Sequence, residues 1–162
     1  MADIIISGIL RDLLGENACE ILSGACEATA YRVAYGAAPE APRLGMFAVS
    51  SRSVLSPEET SGLCRCLTDD GTWEWEFVTR HLPIPEILIE FVLGNRSTVF
   101  LLDRRGMKLG YLRGREMIAR DYVSGSPGGK LLSRIADSIG TKIRNEGKQN
   151  GQNPHDRGCG PG

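Results

Sequence analysis

The stretch VLSPEETSGLCRCLTDDGTWEW sets Cys64 and Cys66 among the acidic pairs Glu58 with Glu59, Asp69 with Asp70 and Glu74 with Glu76. Paired thiols can ligate zinc or run redox chemistry, and gathered carboxylates can hold a hard cation or shift one another for acid–base work. The spacing argues against a thiol site. Residues two apart on a helix project about 200° apart, so both thiols cannot readily face one metal. No second Cys or His pair stands nearby to complete four ligands. The cysteines are expected to pack, one inward and the other partly exposed. Glu58 and Glu59 fit a helix start and its dipole, Asp69 and Asp70 a turn, Glu74 and Glu76 a solvated strand face. No metal and no cofactor are expected.

Histidine is scarce. His81 sits at the proline-broken HLPIP and His155 lies near the end of the chain. A nucleophile–base pair would have to join His81 to a distant cysteine or serine, and no G-x-S-x-G elbow is present. SGSPGGK, residues 124–130, resembles a phosphate loop but has Ser124 at the first required glycine and Leu131 where a hydroxyl should hold magnesium. It reads instead as a flexible joint leading into the last helix, whose N-terminus could hold an anion. The strongest candidate for interaction is DRRGMKLGYLRGREMIAR, in which Arg104, Arg105, Lys108, Arg113, Arg115 and Arg120 surround one hairpin and the segment after it. Arginine forks suit phosphate and carboxylate, and Tyr111 could interleave for stacking. The same charges could simply protect a sheet edge.

Elements that would position these groups follow from periodicity. Ile4, Ile5, Ile6, Ile9, Leu10, Leu13 and Leu14 recur at helical spacing and predict an amphipathic helix over about 3–14, broken at Gly15, with a short helical turn in ACEILSG. EATAYRVAY and LGMFAVSS predict two antiparallel strands. Ser56, Pro57 and Glu59 form a capping box with proline at the first helical position, predicting a helix to about Leu67. TWEWEFV alternates like a strand with Trp73, Trp75 and Phe77 on one side. After HLPIP the chain reads as a meander of EILIEFVL, STVFLLD and MKLGYLR, with tight turns at GNR and RRG. REMIARDYV is expected to be helical, and KLLSRIADSIGTKIR to form a helix with Leu131, Leu132, Ile135, Ile139 and Ile143 on one face.

The 162 residues suit one domain, and 41% hydrophobic with 24% charged residues is ordinary for a globular chain. The expectation is an α+β domain over 1–145, a mainly antiparallel sheet of about five to six strands packed with N-terminal, middle and C-terminal helices, and a disordered tail over 146–162. No secretory signal or membrane span is visible, and five cysteines form no even framework, so a reducing cytoplasm is expected. Residues 1–100 carry 14 acidic and 7 basic side chains (net −7) and residues 101–162 carry 6 and 12 (net +6). These charges either neutralise across one fold or leave the basic segment for an anionic partner.

The order VLSPEETSGLCRCLTDDGTWEW, a proline, then strands ending in STVFLLD resembles the layout of small uncharacterised bacterial α+β proteins over residues 47–112. It departs from those that carry a cysteine-bearing strand, since residues 103–106 offer no cysteine. The resemblance implies a fold and no activity. The leading expectation is a small cytoplasmic, non-enzymatic protein that binds another macromolecule, an acidic protein above all, as an immunity, antitoxin-like or regulatory module. A small enzyme using His81 with acidic residues or a cysteine, and a nucleic-acid module using residues 104–120, are the alternatives. Oligomeric state has no signature in the sequence.

Overall fold

The computed structural model describes residues 4–76 and 81–150, with side chains through residue 144. It is an α+β structure of four helices and one seven-stranded antiparallel sheet, one strand more than the upper expectation. The strands are β1 (Glu27–Val33), β2 (Arg43–Leu44), β3 (Phe47–Val54), β4 (Ile87–Leu93), β5 (Arg96–Asp103), β6 (Lys108–Arg113) and β7 (Glu116–Asp121), in the order β2-β3-β1-β4-β5-β6-β7. The helices are α1 (Gly8–Leu14), α2 (Glu16–Ser23), α3 (Pro57–Leu67) and α4 (Pro127–Asn150). No helix among the described residues is long and apolar enough to cross a membrane.

The sheet is buried on both faces. Its helix-covered face contributes Ala28, Ala30, Ile87, Ile89, Phe91, Phe100, Leu102, Leu109 and Tyr111 to the main core. Phe91 and Phe100 meet edge to face at 5.7 Å between ring centres, a favoured aromatic geometry. The other face carries a second cluster of Val33, Val49, Leu88, Val99 and Leu101, sheltered because the sheet curls. The β2–β3 turn presses on β6 so closely that a Cβ at Gly45 would lie 2.4 Å from Leu112 Cδ1. Burial on both faces explains why β5 reads as the unbroken apolar run VFLL rather than as an alternation.

Local chemistry sets several boundaries. The Ser56 hydroxyl accepts from the Glu59 amide while the Glu59 carboxylate accepts from the Ser56 amide, so the anticipated capping box opens α3. Helix α1 is shorter than the apolar spacing implied: it begins at Gly8, where Ser7 caps the Leu10 amide, and residues 4–7 precede it outside the helix. Three consecutive β-branched isoleucines lower the helix propensity of that entry, and Ser7 itself is extended. TWEWEFV forms no strand within the described residues; only Trp73 bridges to Tyr122, and Phe77 lies outside them. Both indoles instead cap the preceding turn, Trp73 donating to the Leu67 carbonyl and Trp75 to that of Asp70.

REMIARDYV is also corrected. Residues 116–121 are a strand, because Gly114 and Arg115 make a two-residue hairpin with Gly114 at φ 65°. SGSPGG is no loose joint: Ser126 caps the Gly129 amide at 3.0 Å and Pro127 opens α4. The helix starts earlier and runs further than KLLSRIADSIGTKIR, through Asn150; residues 151–162 of the expected tail lie outside the described region.

Candidate functional site

Two places gather chemically capable side chains. The first is the end of the sheet at the β5–β6 turn. Asp103, 6% exposed, accepts the Gly106 amide on Oδ1 and the Ile84 amide on Oδ2, both at 2.9 Å. One carboxylate thus shapes the turn and anchors the segment after His81. A Cβ at Gly106 would lie 2.6 Å from Asp103 Oδ2, so a larger residue there would have to displace that carboxylate. Tyr35 donates its hydroxyl to the Pro85 carbonyl and pins the same segment from the other side. A depression of about 490 Å³ results, lined by Tyr35, His81, Leu82, Ile84, Asp103 and Arg105 among others. His81 and Arg105 also border an adjoining depression of about 360 Å³ with Glu74, Asp121 and Tyr122.

The arginines and lysine of the basic segment fall into different environments. Arg104 turns back into the fold, its Nε 2.7 Å from Glu86 Oε1 and its Nη1 paired with Asp137 on α4. Lys108 is 3% exposed and pairs with Asp121 at 2.7 Å. Tyr111 is 2% exposed and packs its ring 5.9 Å from that of Phe100, so it presents no face for stacking on a base. Arg120 sits over the Trp75 ring at 5.0 Å and donates to the Glu74 carbonyl. Glu74 therefore meets the basic hairpin through its backbone, its amide also donating to Asp121. Arg105 is exposed at one end of β6, and Arg113 and Arg115 are exposed at the other. The structure brings Arg105 together with His81 and leaves Arg113 and Arg115 apart from them.

The second place was not legible from spacing. Cys26, in the connection between α2 and β1, has its Sγ 3.6 Å from that of Cys64 on α3. Cys66 does not join them, and neither thiol of α3 is partly exposed, although one of the two was expected to be: Cys64 is 4% and Cys66 1% exposed. Helix α3 is covered on one flank by α4 and on another by the sheet, so both of its sides are interior. The thiols are unequal. The hydrogen bond from the Cys64 thiol brings Cys26 down to about 7 against the opposing effect of burial. The same interaction, with burial, pushes Cys64 far up, and burial pushes Cys66 up to about 11. A cavity of about 520 Å³ opens on the pair, with Leu22, Pro57, Thr60, Ser61 and Arg65 among its walls. Among the described residues, no three His, Cys, Asp or Glu side chains gather as a metal site.

Comparison with protein-family models, with curated proteins and with solved structures finds no match for the chain. The fold and its sites define a class: an α+β structure with a curled antiparallel sheet, an apolar-rimmed depression at one sheet end, and a thiol pair beneath a cavity in the helical layer.

Proposed function

We propose that the protein acts by binding another macromolecule, an acidic protein surface, through the end of the sheet formed by residues 81–86 and the β5–β6 turn. The supporting observation is the exposure of large apolar side chains around one depression: Tyr35 at 62%, Leu82 at 80% and Ile84 at 68%. Contiguous exposed apolar groups rimmed by polar ones mark interaction sites on globular proteins. Arg105, exposed and without an ion pair among the described residues, adds a cation that would meet a carboxylate of the partner. The segment is ordered in advance by Asp103 and Tyr35, which lowers the entropic cost of docking. An immunity, antitoxin-like or regulatory role in the cytoplasm would use such a face.

The experiment is quantitative affinity capture from extract of the source cells. Wild type is compared with Leu82→Ser/Ile84→Ser, with Arg105→Ala, and with Arg113→Ala/Arg115→Ala at the far end of β6. The expected result is a protein retained by wild type and by the far-end variant, but depleted at least about tenfold by either of the first two. All variants should keep the wild-type melting temperature. Identical captured sets for all four proteins, or loss only with Arg113→Ala/Arg115→Ala, would refute the assignment. Capture of nucleic acid with a steep salt dependence would favour the alternative partner.

A further inference from the structure

We propose that Cys26 and Cys64 form a redox-active dithiol that exchanges with a carboxylate-bearing small-molecule disulfide entering the cavity between the α2–β1 connection and α3. The two sulfurs stand 3.6 Å apart, so an approach of about 1.5 Å reaches the disulfide bond length of roughly 2.05 Å. Cys26 is half-buried and Cys64 is buried; both border the cavity of about 520 Å³. Leu22 and Pro57 offer apolar contact there, Thr60 and Ser61 hydroxyls, and Arg65 a guanidinium suited to a carboxylate. The site lies in the helical layer and does not depend on the binding face at the sheet end.

The roles follow from the asymmetry of the pair. Cys26, held near neutrality by the Cys64 thiol, supplies the attacking thiolate. It displaces one half of the incoming disulfide as a thiolate and becomes a mixed disulfide with the other half. Cys64 then attacks Cys26 Sγ, releasing the second half, which leaves with the Cys64 proton. The protein dithiol loses two electrons and two protons; the small disulfide gains them as two thiols. The new bond ties the segment before β1 to α3.

The test uses the full chain and glutathione disulfide as probe. Iodoacetamide labelling of Cys26 in the reduced protein should titrate with a midpoint near pH 7, and incubation with glutathione disulfide should yield a Cys26–Cys64 linked peptide with loss of two hydrogens. Cys64→Ser should trap glutathione on Cys26 and move the labelling midpoint toward the ordinary thiol value of about 8.5. Arg65→Ala should slow oxidation by glutathione disulfide at least about threefold while leaving the rate with uncharged 2-hydroxyethyl disulfide unchanged. Closing the loop should also raise the melting temperature. A labelling midpoint at or above about 8.5 in wild type, or linkage confined to other cysteines, overturns the dithiol. Equal slowing with both probes overturns the carboxylate-binding role of Arg65. The wild-type measurements decide the dithiol even where a variant folds poorly.

Discussion

At the scale of the residue, Glu59 does two jobs that sequence spacing could only half reveal. Its place three residues after Ser56 announces the capping box, because a cap is satisfied within one turn. Nothing local announces Lys142, which reaches the same carboxylate from 83 residues away. Burial raises Glu59, but the hydrogen bonds from Lys142 and Ser56 outweigh it and leave the carboxyl below its usual value. A carboxyl depressed in the folded state contributes stability above its unfolded pKa, and that contribution is lost as pH falls through the folded value. Urea denaturation of wild type should therefore show stability falling below about pH 4.5, with a shallower fall in Glu59→Gln. Ser56→Ala should cost about 1 kcal/mol at neutral pH by loss of the cap. An unchanged acid limb in Glu59→Gln would remove the residue from this role.

At the scale of the element, SGSPGG shows how composition misleads when packing is tight. Gly and Ser suggest flexibility, yet a Cβ at Gly129 would lie 1.9 Å from the Val123 carbonyl oxygen, and one at Gly128 1.9 Å from Thr72 Oγ1. The glycines let α4 begin against the backbone that precedes it. Helix propensity alone would have alanine at position 129 stabilise by about 1 kcal/mol. Overpacking against backbone predicts the reverse: Gly129→Ala should destabilise by at least about 2 kcal/mol, while Gly125→Ala, which meets nothing within 4 Å, should stay within about 0.5 kcal/mol. Thermal melts of the two variants decide between the two effects. The same tertiary override turns REMIARDYV into β7. Its helical look was a matter of propensity, whereas the glycine at position 114 and the open edge of β6 were decisive.

At the scale of the whole molecule, the opposed charges of the two halves are partly spent inside the fold. Lys142–Glu59 and Arg104–Glu86 join the basic half to the acidic one. Such pairs fix orientation more than they stabilise. Closure of the curled sheet rests on apolar contact, with the β2–β3 turn against Leu112 sheltering the second core. Gly45 there has φ 61°, so Gly45→Ala adds both backbone strain and a clash. It should destabilise by about 2 kcal/mol or more, and Leu112→Ala in the same chain should recover the clash but not the strain. A double-mutant cycle in urea measures the coupling; strictly additive losses would show that the turn does not press on β6.

The sequence by itself determined the α+β class, the capped start and end of α3, the breaks at Gly15 and HLPIP, and the meander from β4 to β6. In each, the deciding side chain lies within a few residues of the backbone it satisfies or bends. Only the tertiary structure decided that the sheet curls over a second core, that the basic segment is divided between ion pairs and surface, and that Cys64 answers to Cys26 rather than to Cys66. Those outcomes depend on residues 13 to 38 positions apart, or further, meeting at distances of a few ångströms. Neither periodicity nor motif spacing encodes where they meet.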